Sequence, residues 1–300
     1  MTKAKNQFKK LTPTEFPGLL KEINDPPKEL WLEGKLPACA GRPNENENKF
    51  LAVVGSRKFS RYGKEACEEL IAGLAGYPIV IVSGLALGID AIAHQSALKN
   101  KLLTIAIPGS GLSRKVLHPF SNHRLADEII EAGGALLSEL EPECPAGLHT
   151  FPSRNRIMAG MSHATLIIEA GEKSGTLITA RLAMEYNRDV LVVPGSIFSS
   201  SSRGANNLIH QGAMPINNSE DLLHALGFNT EQDAKDRQGR LFENLSEIEQ
   251  KIVDLLATDS YPRDELIELA ELSITDANII LSTMEIKGLI KEAMGEIRLV

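Results

Sequence analysis

From residue 50 to residue 193 the chain alternates short apolar runs with stretches of helical periodicity. The apolar runs are Phe50–Val54, Ile79–Val82, Leu102–Ile107, Ala135–Ser138, Ala164–Ile168 and Val190–Val193. Between them, Gly63–Ala75, Ile89–Lys99, Ser121–Ala132, Arg156–Met161 and Thr176–Tyr186 read as helices. A strand that is apolar at nearly every position has no solvent face, so the pattern predicts an α/β fold with a parallel sheet covered on both sides. In such an open sheet the loops leaving the strands emerge at one edge, and ligands sit there where the strand order reverses.

The flanks read differently. Residues 1–15 are expected to be an N-terminal tail and residues 16–228 the sheet domain, with a short strand at Glu29–Leu32 after the Asp25-Pro26-Pro27 break. Residues 41–49 read as a polar hairpin or linker. Residues 229–240 are polar and contain glycine, which marks a domain linker. Residues 241–300 form a separate pattern: helices at Glu247–Ala257 (with Ser246 as cap), Arg263–Ala270 (with Pro262 in its first turn) and Thr275–Lys287. A hairpin of Leu289–Glu292 with Ile297–Leu299 follows. Three helices and a hairpin predict a small C-terminal winged-helix domain.

The loops after the strands carry the candidate chemistry. Gly55, Ser56 and Arg57 follow the first run, and Ser83, Gly84 and Gly88 follow the second. Gly109 and Gly111 follow the third. Phe151-Pro152-Ser153-Arg154-Asn155-Arg156 reads as a polar loop ahead of a helix, and Lys173-Ser174-Gly175-Thr176 opens another. Glycine turns and helix starts present bare N–H groups, and with guanidinium and ammonium charges beside them they suit phosphate. Phe151 suits a stacked base. All of these except Pro152 and Ser153, sixteen positions, are the candidate contacts to a phosphate-bearing polymer or nucleotide. Their plain alternative is a set of solvated loops, with Arg57 in a sheet-edge ion pair.

Other chemistries find little support. The Gly84 turn lacks the lysine of a phosphate-binding P-loop, and Arg114 stands where a third glycine would complete a dinucleotide fingerprint. No nicotinamide or flavin cofactor is expected. His118, His123, His149 and His163 have no metal-ligand spacing, and no nucleophile–base pair or carboxylate pair points to a catalytic residue. Asp90 and His94, one helical turn apart, read as capping or packing residues.

Composition is that of an ordinary globular chain, 43% hydrophobic and 24% charged. Three cysteines in no C-x-x-C spacing point to a reducing cytoplasm, and no run is long enough to span a membrane. The net charge of −7 argues against a nucleic-acid partner until it is counted by segment. Residues 50–228 hold 15 Lys and Arg against 16 Asp and Glu, whereas residues 229–300 hold 8 against 16. The excess acid is therefore C-terminal, and a basic crevice fits the central domain. The winged helix, acidic even on its recognition helix, is expected to pack against protein.

The order of the loops is more specific than any one of them. Gly-Ser-Arg, Ser-Gly-Leu-Ala-x-Gly-Ile-Asp, Pro-Gly-Ser-Gly-Leu, Phe-Pro-x-Arg-Asn-Arg, Ser-Gly-Thr-Leu-Ile-Thr-Ala and Val-Pro-Gly follow one another as in the DNA-processing protein A family (DprA, also called Smf), which the chain resembles from about Phe16 to Phe228. The resemblance implies an extended Rossmann-like domain that binds single-stranded DNA, forms a homodimer and loads the RecA recombinase during natural transformation. It departs from the family at Ser113, where an aspartate is common, and at His118-Pro119, where Tyr-Pro is common. Two other readings stay open. One is a nucleotide-binding sensor. The other is a phosphoribohydrolase-like enzyme, which would need a glutamate where this chain has Thr179.

Overall fold

The computed structural model describes residues 8–38, 48–229, 245–257, 259–270, 272–286, 289–293 and 295–299. The linker expected at 229–240 falls almost wholly outside them, as do Lys287 and most of the polar stretch 41–49. The chain divides into two compact units, residues 1–227 and 228–300.

The first unit is built on nine strands: β1 (Lys9–Leu11), β2 (Leu30–Gly34), β3 (Lys49–Val54), β4 (Ile79–Ser83), β5 (Leu103–Ala106), β6 (Ala135–Ser138), β7 (Ala164–Ile167), β8 (Asp189–Val192) and β9 (Met214–Pro215). Their order in the sheet is β1-β2-β6-β5-β4-β3-β7-β8-β9. Strands β3 to β9 pair in parallel, while β2 joins β6, and β1 joins β2, antiparallel. The central strands are buried on both faces, as their unbroken apolar runs require; Phe50, Leu51, Ala52 and Val53 expose nothing to solvent.

Among the described residues, α1 (Gly18–Lys21), α2 (Arg61–Ala72), α3 (Ile89–Lys99), α4 (His123–Glu131), α5 (Thr150–Met161), α6 (Thr176–Glu185) and α7 (Arg203–His210) lie between strands, and α8 (Ser219–Ala225) follows β9. The chain runs β3, β4, β5, β6 in one direction across the sheet and then returns to place β7 on the other side of β3. The strand order thus reverses between β3 and β7, and the loops after these two strands diverge there.

Two sequence readings are corrected. Residues 9–11, placed in a tail, form the edge strand β1, with Lys9 opposite Leu32 and Leu11 opposite Leu30. More consequentially, Phe151–Arg156 is not a loop but the first two turns of α5. Pro152 hid this, yet a proline in the first turn lacks only an N–H that has no partner inside the helix anyway.

The second unit has helices α9 (Glu247–Leu256), α10 (Arg263–Ala270) and α11 (Ile274–Ile286), and a small sheet of β10 (Tyr261–Pro262), β12 (Glu296–Leu299) and β11 (Ile290–Ala293) in that order. Ser246 caps α9 in a reciprocal box: its hydroxyl accepts from Glu249 N–H at 3.3 Å, and its own N–H donates to Glu249 Oε2 at 2.9 Å. Pro262 lies in β10 rather than inside α10. Ile252, Leu256, Leu266, Leu281, Met284 and Ile297 form the core of this unit.

A buried histidine ties α3 to the sheet. The Thr104 hydroxyl donates to Ile81 O at 2.8 Å, so at 2.7 Å it accepts from His94 Nδ1–H, and His94 is neutral. Burial first, and then the Arg154 charge, hold the His94 imidazole down at about 3. Between that value and the ordinary 6.5 only the unfolded chain takes up the proton. Stability is therefore complete above about pH 6.5 and falls below it, by up to about 1.4 kcal/mol per pH unit from this group. Urea unfolding followed from pH 7 to pH 5 should show that loss, and a flat profile would mean that native His94 is charged.

Candidate functional site

A cavity of about 750 Å³ opens at the carboxyl edge of the sheet, at the reversal between β3 and β7. The β3 loop contributes Gly55, Ser56, Arg57 and Lys58, and the β7 loop contributes Gly171, Lys173, Ser174 and Gly175. Helix α5 adds Phe151, Arg154 and Asn155. Those three share a wall because positions i, i+3 and i+4 lie on one helix face.

Of the sixteen candidates, ten line this cavity: Gly55, Ser56, Arg57, Phe151, Arg154, Asn155, Lys173, Ser174, Gly175 and Thr176. The remainder serve the scaffold around it. Arg156 points off the cavity face and grips Glu139 in a two-pronged ion pair at 2.7 and 2.8 Å, with Nη1 donating to Asp25 O. Ser83 is fully buried and its hydroxyl donates to Val53 O at 2.6 Å. The Gly111 N–H is already spent on Cys144 O at 2.8 Å, and Gly109 makes room for the Phe151 ring. Gly88, at φ 83°, lets the start of α3 close on the backbone of Ser56 and Arg57. The Ile89 N–H there donates to Ser56 O, so this helix start is partly occupied.

Arg154 forms the floor, with Gly84 packed against its guanidinium. Arg154 is 7% exposed; its Nη1 donates to Ile107 O at 2.7 Å and lies 4.0 Å from Asp90 Oδ2. A Cβ at Gly84 would run into this guanidinium, so only glycine fits beside it. Burial pushes the Asp90 carboxyl up and the Arg154 guanidinium down, and each charge opposes the other's shift. Asp90 thus partners Arg154, and His94 turns to Thr104 instead.

The rim is cationic and open. Arg57 is exposed and lies over the Phe151 ring, 5.1 Å from its centroid. Arg57, Lys58 and Lys173 make no ion pair among the described residues. At the start of α6 the Ser174 hydroxyl accepts from Thr176 N–H at 3.2 Å, and a Cβ on Gly175 would meet nothing within 4 Å. On the far wall, Glu169 is buried and braces two loops: Oε2 accepts from Ser60 N–H at 2.9 Å and Oε1 from the Ser201 hydroxyl at 2.5 Å. Lys58, Ser200 and Ser201 line the cavity without having been singled out in sequence. Lys58 adjoins the Gly-Ser-Arg turn and was legible, whereas nothing in a serine run marks a ligand site.

Known families and solved structures match the chain over most of its length. The profile described as DNA recombination-mediator protein A covers residues 7–227, and the DprA winged helix domain covers residues 239–296. The DNA processing protein DprA of Streptococcus pneumoniae is 43% identical over 216 residues, which is 71% of this chain and 72% of that protein. Protein Smf of Escherichia coli is 40% identical over 213 residues, 71% of this chain, and the match spans 54% of the longer Smf chain. The X-ray structure of the pneumococcal DprA superposes with a TM-score of 0.67 at 39% identity, covering 74% of this chain and 76% of that one. DNA processing protein A from Helicobacter pylori, whose structure addresses a single-stranded DNA binding mode, gives a TM-score of 0.62 at 31% identity, with coverage of 73% and 95%.

The two cavity arginines should separate cleanly in stability measurements. Arg154→Ala strips the partner from a buried carboxylate and is expected to cost about 3–5 kcal/mol, seen as a lower melting temperature. Arg57→Ala removes an exposed side chain and should stay within about 0.5 kcal/mol of the parent. Equal melting temperatures for both variants would contradict the buried role of Arg154.

Proposed function

The chain belongs to the DNA recombination-mediator protein A family, and on that premise we propose that its cavity binds single-stranded DNA without sequence preference. The observation that carries this reading is the unpaired cationic rim of Arg57, Lys58 and Lys173 around an aromatic wall. Phosphates meet positive charge at the rim, while Phe151 and the Arg57 guanidinium offer a stacking surface to a base. The functional role follows from binding: the protein shields incoming strands in the cytoplasm and, as a homodimer, delivers them to the RecA recombinase during natural transformation.

Binding without chemical turnover fits the wall residues. Thr179 is buried in the cavity wall where a hydrolase of this kind would need a carboxylate. The two buried acidic side chains beside the cavity are committed, Asp90 to Arg154 and Glu169 to Ser60 and Ser201. Neither is free to act as an acid–base pair.

Gel shifts with single- and double-stranded oligonucleotides over a salt series test the reading. Single strands should bind more tightly, with a log–log salt slope of about −0.7 per neutralised phosphate. Arg57→Ala and Lys173→Ala should each weaken binding roughly tenfold on every sequence, because phosphate contacts carry no base identity. Normal binding by both variants would remove the cavity as the DNA site.

The same assay on a chain ending at residue 228 examines the second unit. Its excess acid offers little to phosphate, so truncation should leave affinity within about twofold or raise it. A tenfold loss, about 1.4 kcal/mol, would show that the winged helix contributes directly.

A further inference from the structure

Phe120 is an aromatic side chain that the fold does not use. It is 80% exposed and follows directly on His118 and Pro119. Its ring is nonetheless held. The His123 Nε2–H donates to Leu117 O at 2.8 Å, which fixes that imidazole, and Phe120 leans on it with centroids 4.6 Å apart at 54°. One face of the phenyl ring is supported and the other is open.

This ring is connected to the cavity. A narrow cleft of about 40 Å³ shares Arg57, Ala86, Phe151 and Arg154 with the cavity and is closed on its far side by Leu87, His118 and Pro119. His118 meets the Phe151 ring edge-on, with centroids 6.1 Å apart. A line of contacts runs from Arg57 over Phe151 to His118, and Phe120 follows His118 and Pro119 in the chain. Leu87, half exposed, lies along the cleft. At the far end Arg124 is 91% exposed and held only by an i,i+4 pair to Glu128, so it can turn to a phosphate at little cost.

We propose that the single strand leaves the cavity through this cleft and stacks its next accessible base on the open face of Phe120. This rests on the reading of the cavity as a single-strand site and assigns the strand a direction, from the β3 loop across the β4 loop toward the β5 loop. Those three strands are neighbours at roughly 4.8 Å spacing, so the loops leaving them follow one another along the edge at steps comparable to the rise between nucleotides. The surface is a set of separated loop tips beside cations, which suits bases on a phosphate chain better than a continuous apolar protein face. Ile197 and Phe198, exposed on the opposite flank, mark the path not taken.

The test is fluorescence anisotropy with labelled oligo-dT of 20 nucleotides and the full chain. Phe120→Ala should weaken binding about 5- to 100-fold, the range for loss of one base–aromatic stack, with an unchanged melting temperature. Phe120→Trp should restore affinity, and its emission should be quenched by the oligonucleotide above the background of Trp31. Phe198→Ala should bind like the parent. Normal binding by Phe120→Ala, or a loss on Phe198→Ala in its place, overturns the proposed path. Arg57→Ala, run alongside, keeps the two ideas distinct: if it weakens binding while Phe120→Ala does not, the cavity reading stands and the path falls.

Discussion

A guanidinium without water must be neutralised and hydrogen-bonded where it lies, and Arg154 imposes that demand on the whole ligand edge. Its Nη1 takes Ile107 O from the β5 loop and faces Asp90 at the start of α3, while the missing side chain of Gly84 admits it beside the β4 loop. Two loops, the start of α3 and α5 are thereby fixed by one charge. The orientation of α5 in turn decides which residues face the cavity. Phe151 and Asn155 are presented because Arg154, between them on the same helix face, is anchored inward.

Much of this was legible in the sequence, for reasons that differ by element. Strands β3, β4, β6 and β7 announce themselves because burial on both faces demands unbroken apolar runs. The glycine-rich loops could be placed at one edge from topology alone. What the sequence hid were signals overridden by context. The proline and polar residues of 151–156 resemble a loop until helix geometry separates Arg154 and Arg156 onto different faces, one into the floor and one onto Glu139. Sequence shows a glycine but not what lies above it. Gly84 and Gly109 owe their identity to an arginine and a phenyl ring rather than to an anion, and the Gly111 N–H was already engaged.

An acidic chain can still present a cationic edge, because burial takes acidic groups out of it. Asp90 and Glu169 are turned into internal partners, while Arg57, Lys58 and Lys173 stand at the rim. Screening limits an exposed charge to a range of about 8 Å at physiological ionic strength. The charges that count at this rim are therefore those within that range of it. Local arrangement, not net charge, sets what the edge attracts.

The ends of the nine-stranded sheet close the matter of its growth. At one margin Lys9 and Lys10 stand on β1, engaged with Glu15 and Glu29; at the other, β9 is two residues long and ends in Pro215. Charged side chains, brevity and a residue with no N–H all discourage a further strand from docking. Both margins therefore disfavour continuing the sheet into a neighbouring copy. Helical faces, where side-chain shape rather than backbone pairing selects a partner, carry no such deterrent.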